Sequence, residues 1–340
     1  MCMKVERQTK NRKQGIAARL EAWFAKAKRD MPWRREVTPY SCWLSEIMMQ
    51  QTTYQGVLGH YARFRAMFPT VEALAAASEG AVLKAWEGLG YYARARNLLK
   101  AAKQIVAEGW PTTFEGWRSL PGIGPYTAAA LASVLNGVRR SVVDGNVARV
   151  FARYWLLPDD FHAQGAREKL ADRLDREMAR AAVPGDFNQA MMELGALVCT
   201  PTSPNCAACP LARSCAARKA GRQSDFPAKP PKKTLPIRTG TAVLVTDERG
   251  RVLLVQNKEG GLLKGLWELP TLTHAMDYEQ TFSHFHLALS VEQARAGARF
   301  VDPATVALTT ATRKILTACK TGEKSHPTGP VAADTTPPKK

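Results

Sequence analysis

The sequence contains no apolar run long enough to span a bilayer, and no hydrophobic stretch of a signal peptide follows its polar start, MCMKVERQTKNRKQ. A membrane-embedded or exported protein is therefore not expected, and the chain reads as cytoplasmic. Acid is also scarce: 30 Asp and Glu stand against 48 Lys and Arg, a formal net charge of +18 at pH 7. With a membrane set aside, an excess of that size points to a polyanionic partner, nucleic acid first. The seven cysteines of this 340-residue chain are not the pattern of a small disulfide scaffold, and four of them crowd into one short stretch, which suits a metal site. No internal repeat is present.

What is present divides the chain in two. With 45% hydrophobic residues, 340 positions suffice for two ordinary domains, each with its own core. From Ile16 to about Cys215 the pattern is helical and strand-like alternation is scarce. In IAARLEAWFAKAKR, for example, Ile16, Leu20, Trp23 and Ala27 fall on one face. The stretch FPAKPPKKTLPIR, Phe226 to Arg238, lacks an apolar period and has proline spacing suited to an extended linker. Beyond it TAVLVTDERGRVLLVQ reads as two β-branched strands joined by a turn at Asp247 to Gly250. The predicted organisation is a basic arm (1–15), an all-α domain (16–222), a linker (223–238), a small sheet-containing domain (239–320) and a disordered tail (321–340).

Four segments carry candidate chemistry. Cys199, Cys206, Cys209 and Cys215, spaced C-x6-C-x2-C-x5-C, can converge on one centre, and spacing alone leaves structural zinc and [4Fe–4S] equally open. Cys2, Cys42 and Cys319 match no ligand position. In LPGIGPYTAAALASVL a Gly-x-Gly turn lies between helical segments, where glycine allows close backbone approach and helix N–H groups bind a phosphate without base preference. In SVVDGNVARVFAR, Asp144 sits before a helix N-terminus, which favours its ionised form. In PYSCWLSEIMMQQTTYQGV, Glu46 has Cys42, Trp43, Met49 and Gln50 as helical neighbours, so desolvation is expected to raise its pKa. One carboxyl kept protonated beside another kept ionised is a recurring acid and stabiliser pair.

Together these segments resemble the helix-hairpin-helix DNA glycosylases of the endonuclease III superfamily and, through SEIMMQQT, their MutY branch, with Met49 where leucine is more usual. The likeness extends through PWR (Pro32 to Arg34) and GLGYYARARNL (Gly88 to Leu98) and covers most of the first 220 residues. It implies [4Fe–4S] on the four cysteines of the 199–215 loop, Glu46 as catalytic acid and Asp144 as catalytic aspartate, with Tyr126 and Asn146 orienting Asp144 and the sugar. It also implies DNA contacts by Arg34, Gln51, one of Tyr91 or Tyr92, and the hairpin glycines Gly122 and Gly124. Bifunctional members place a lysine where this chain has Tyr126, so the likeness implies a monofunctional enzyme.

GLWELP and TFSHFHL resemble the C-terminal 8-oxoguanine-reading domain of the same family, which has a Nudix-like fold, and Phe282, Ser283 and His284 match its reading motif. The paired glutamates of a Nudix box are missing, which excludes phosphohydrolase activity. Only ten residues separate Pro270 from Thr281, where the family carries a longer insert. The implied function is removal of adenine paired with 8-oxoguanine or guanine in duplex DNA, by a monomer. Two rivals stand beside it: a bifunctional pyrimidine glycosylase and lyase, against which Tyr126 and Glu46 argue, and a catalytically silent iron–sulfur DNA-binding protein, against which Glu46 with Asp144 argues.

Overall fold

A computed structural model describes residues 15–228, 237–258, 261, 263–272, 278–281, 286–292 and 299–321. The expected N-terminal arm and C-terminal tail thus lie almost wholly outside the described residues, as does the middle of the expected linker. Among the described residues no helix is long and apolar enough to cross a membrane. The chain forms two compact units, one drawn from 15–61, 68–75 and 97–228, the other from 62–67, 76–96 and the described residues from 237 onward.

The first unit is helical. Its longer helices include Ile16–Ala27, Pro39–Met49, Pro125–Asn136, Gly145–Trp155, Gln164–Met178 and Pro184–Leu197. Leu20, Phe24, Phe151, Phe187 and Leu194 meet in one core cluster, each contributing about 1.5–3 kcal/mol by burial. The inward face of the first helix is Ile16, Ala17, Leu20 and Phe24, whereas Trp23 is half-buried. The buried stripe is therefore turned by one residue from that expected. Local chemistry sets the ends of these helices. Thr38 and Ser41 form a capping box that opens Pro39–Met49, Thr113 accepts from Gly116 N–H to open Phe114–Ser119, and Gly137, at φ +68°, closes Pro125–Asn136.

The second unit contains two sheets. The strands are β1 (Ile237–Val243), β2 (Val252–Gln256), β3 (Trp267–Glu268), β4 (Thr271–Leu272), β5 (Tyr278–Thr281), β6 (His286–Glu292) and β7 (Arg299–Val301). They order as β4-β1-β6-β5 and β3-β2-β7, and β1 runs parallel to β6. The hairpin expected around Asp247 to Gly250 is correspondingly short. Leu253 N–H donates to Val245 O at 2.9 Å and Asp247 N–H to Arg251 O at 3.0 Å, after which β1 and β2 part into separate sheets. The helix Thr310–Thr321 docks through Leu269 N–H to Thr312 Oγ1 at 3.1 Å. Residues 76–96 belong to this unit: the Tyr92 hydroxyl donates to Leu308 O at 3.3 Å and Arg96 to Lys264 O at 2.6 Å.

Candidate active site

The helix Pro39–Met49 is buried nearly all round, by Tyr40, Cys42, Trp43, Leu44, Ile47 and Met48. Glu46, half-buried like Met49, faces a cavity of about 400 Å³ in the helical unit, a size within the range of small-ligand pockets. Met31, Trp33, Met49, Leu131 and Met192 form apolar walls, and Asp144, Asn146 and Tyr126 line the same space. Burial pushes the Glu46 carboxyl up to about 7, the charge of Asp144 pushes the same way, and Arg34 pulls it back.

Asp144 is the N-cap of Gly145–Trp155, accepting from Val147 N–H at 2.7 Å and from Asn146 Nδ2 at 2.9 Å. The helix start was expected to favour the ionised form. Burial moves its pKa the other way and is the largest influence, while the Val147 and Asn146 hydrogen bonds and the Arg149 charge pull it down. Tyr126 donates to Met192 Sδ at 3.0 Å, and burial raises its phenol well above its ordinary value, so it faces the cavity as a neutral hydroxyl.

Asn146 is held in turn. Arg149 donates to Asn146 Oδ1 at 2.7 Å, to Gly195 O at 2.8 Å and to Cys199 O at 2.8 Å. One guanidinium therefore ties the cysteine loop to the side chain that bonds Asp144. Arg153, buried, donates to Thr200 O and Pro201 O, both at 2.7 Å, to Cys199 Sγ at 3.4 Å and to Phe226 O at 3.0 Å. Cys199, Cys206, Cys209 and Cys215 surround a small cavity of about 30 Å³, with Gln223 at its wall.

Several lining residues were not foreseen. Glu193 is buried and pairs with Arg29 at 2.7 Å and with Arg34 at 2.5 Å, and Arg34 Nε donates to Gln189 Oε1 at 2.9 Å. Arg34, expected at DNA, thus also forms part of the cavity wall. The available signal was a carboxylate inside the apolar run FNQAMMELGAL, the same pattern that marks Glu46. Gln50 lines the cavity and bonds Thr127 Oγ1 at 3.1 Å, whereas Gln51 is exposed in the following turn at φ +56°.

The tyrosine pair divides. Tyr92 is buried, and Tyr91, at φ +47°, is half-buried beneath the Arg94 guanidinium at 5.6 Å, so Tyr91 is the more accessible of the two. Gly122, at φ +79°, leaves no room for a side chain: a Cβ there would stand 2.8 Å from Asn97 Cβ. Gly124 is exposed and caps Pro125–Asn136. Phe282, Ser283 and His284 lie outside the described residues.

Residues 44–176 match the model of the HhH-GPD superfamily of base excision DNA repair proteins. The chain is 36% identical over 310 residues to the adenine DNA glycosylase of Homo sapiens, covering 75% of this chain and 57% of the human protein. It is 34% identical over 253 residues to that of Buchnera aphidicola subsp. Acyrthosiphon pisum, covering 73% and 71%. The chain therefore spans a little over half the length of the human relative. In three dimensions it is similar to a thermostable thymine-DNA glycosylase, with TM-score 0.54 and 25% identity over 63% of this chain and 99% of that one. It also shares its fold with endonuclease III in a trapped covalent DNA complex, with TM-score 0.51 and 22% identity over 60% and 94%.

Proposed function

The chain belongs to the adenine DNA glycosylase family, and from that premise we propose that it hydrolyses the N-glycosidic bond of adenine opposite 8-oxoguanine or guanine in duplex DNA, the first step of base-excision repair. One observation carries the reading. Two carboxyl groups line a single cavity and burial raises both, Glu46 to about 7, while on Asp144 two hydrogen-bond donors and the Arg149 charge pull back toward the ionised form.

The substrate adenosine turns out of the duplex into the cavity, at an unstacking cost of a few kcal/mol. The Glu46 O–H gives its proton to N7 of the purine, which makes adenine a neutral leaving group. As the C1′–N9 bond breaks, its electron pair goes to the base and the sugar gains oxocarbenium character, which the Asp144 carboxylate faces and stabilises. Water adds at C1′, its proton returns to a carboxylate, and an abasic site and free adenine remain. Tyr126 offers a hydroxyl where strand cleavage would need an amine, so no Schiff base forms.

The four thiols fit a [4Fe–4S] cluster. They ring one small cavity, yet among the described residues no three Cys, His, Asp or Glu side chains stand close enough to share a single ion. Cys199, Cys206, Cys209 and Cys215 would hold it, and bound it supplies a rigid anchor for the 199–215 loop. Arg149 and Arg153 grip that loop through its carbonyls. The sheet-bearing unit is proposed to read 8-oxoguanine through Phe282, Ser283 and His284 on a Nudix-like frame, a reading supported by GLWELP and TFSHFHL.

The test is a duplex bearing one adenine opposite 8-oxoguanine, with products separated by chromatography. Free adenine and an alkali-labile site, without strand cleavage and without a borohydride-trapped adduct, are expected. Release of a pyrimidine from damaged DNA with efficient trapping would overturn the reading.

A further inference from the structure

The Tyr126 hydroxyl lies among carboxyl groups and bonds none of them. Tyr126 stands in the first turn of Pro125–Asn136 and lines the cavity with Glu46, Asp144 and Asn146. Burial, then the charges of Glu46 and Asp144, raises its phenol, so both carboxyls are within electrostatic reach. A phenol so placed would ordinarily donate to a carboxylate oxygen, where a charge-assisted bond is roughly twice as strong as a neutral one. Among the described residues its O–H goes instead to the thioether of Met192, at 3.0 Å. Thioether sulfur is a weak acceptor.

The stronger acceptors on the same wall are engaged elsewhere. Asp144 accepts from Val147 N–H and Asn146 Nδ2, Asn146 Oδ1 accepts from Arg149, Gln189 Oε1 from Arg34, and the two Glu193 oxygens face Arg29 and Arg34. Met192 is also firmly placed. It lies on Pro184–Leu197 beside Glu193, whose two ion pairs fix that stretch of the helix, and just before Gly195, which meets Asn146 with no room for a Cβ. One helix therefore sets both the sulfur that takes the hydroxyl and the residue that bonds Asp144. A sulfur acceptor satisfies the hydroxyl without a charge and leaves Asp144 with two donors rather than three. Each added donor spreads carboxylate charge that a nearby cation would otherwise feel.

We propose that Met192 is a positioning residue of this site: its thioether holds the Tyr126 hydroxyl off Asp144, so that the carboxylate keeps its charge for the sugar. The contact is read from the geometry alone, and its bearing on catalysis rests on the function proposed above.

The test is a double-mutant cycle of Met192→Leu and Tyr126→Phe on the full chain. Leucine nearly keeps the volume and removes the acceptor. In Met192→Leu the released hydroxyl turns to Asp144, and single-turnover adenine release is expected to slow by about threefold to tenfold. The acid limb of its pH profile, set by Asp144, is expected to move down by about half a unit to one unit, since a donor on a carboxylate favours the ionised form. Glu46 and Arg149, the other charges that reach Asp144, and Arg34 and Glu193 behind Glu46 are the same in all four proteins, so the shift reports the hydroxyl. In the Tyr126→Phe background Met192→Leu is expected to add no further change in rate or limb. An acid limb unmoved by Met192→Leu, or equal effects in both backgrounds, would overturn the proposal, because Met192 would then act through packing alone. The same cycle read in melting temperature needs no substrate and is expected to be non-additive; additive melting shifts would overturn the contact itself. Non-additive melting in a protein that releases no adenine would overturn the proposed function and still support the contact.

Discussion

Glu46 acquires its chemistry from the helix that carries it. A carboxyl with an ordinary pKa of 4.5 is raised to about 7 because one face of an otherwise buried helix opens on an apolar cavity that also holds Asp144. That shift has a cost in stability with a definite sign. Between the two values the unfolded chain gives up its proton first, so stability present below the ordinary pKa is lost as pH rises through about 7. Glu46→Gln has no proton to lose. It is expected to melt near the wild-type temperature at about pH 5 and above it at about pH 8; equal offsets at both pH values in thermal denaturation would contradict the assignment. Asp144 teaches the complementary lesson. Its position at a helix start is legible in VDGNV, but the depth of its burial is not, and burial sets the direction of its shift.

Elements meet where the site is made. Gly195, on Pro184–Leu197, packs against the first turn of Gly145–Trp155 so closely that a Cβ would stand 2.6 Å from Asn146 Cβ and 3.0 Å from its backbone. Gly195→Ala should therefore displace the residue that bonds Asp144, costing about 1–3 kcal/mol of stability and slowing adenine release beyond what the lost stability explains. Unfolding midpoints with single-turnover rates check this; a fully folded variant with a normal rate would contradict it. The glycine itself carries no local mark of this role. The Cys spacing, the Gly-x-Gly turn and the two carboxyls are compact patterns, and each was readable from its own segment. Contacts between segments far apart in sequence were not. Arg149 to Cys199, Glu193 to Arg29 and Arg34, and the parallel pairing of β1 with β6 arise only when the chain is folded. The same limit explains why the turn at Asp247 to Gly250 was foreseen while the parting of its strands into two sheets was not.

At the scale of the whole molecule, a net charge of +18 supplies attraction to a polyanion without regard to sequence, and in the proposed function selectivity is left to the cavity. The cysteine loop is tied to the cavity, because Arg149 takes the Cys199 carbonyl and the Asn146 side chain together and Arg153 takes the Thr200 and Pro201 carbonyls. Protein purified without oxygen is expected to contain iron and sulfide in near-equal amounts, and Cys206→Ser to lose both together with ordered DNA binding. Zinc without iron would contradict the cluster. The central claim, that Glu46 delivers the proton and Asp144 steadies the sugar, is met most directly by single-turnover adenine release from an adenine opposite 8-oxoguanine, followed against pH for the wild type and Glu46→Gln. The account predicts a wild-type rate that falls as pH rises through about 7, and a variant slower by at least about 10²-fold that still binds the duplex. A variant with near-normal rates, or a wild-type rate that climbs through that range, would contradict it.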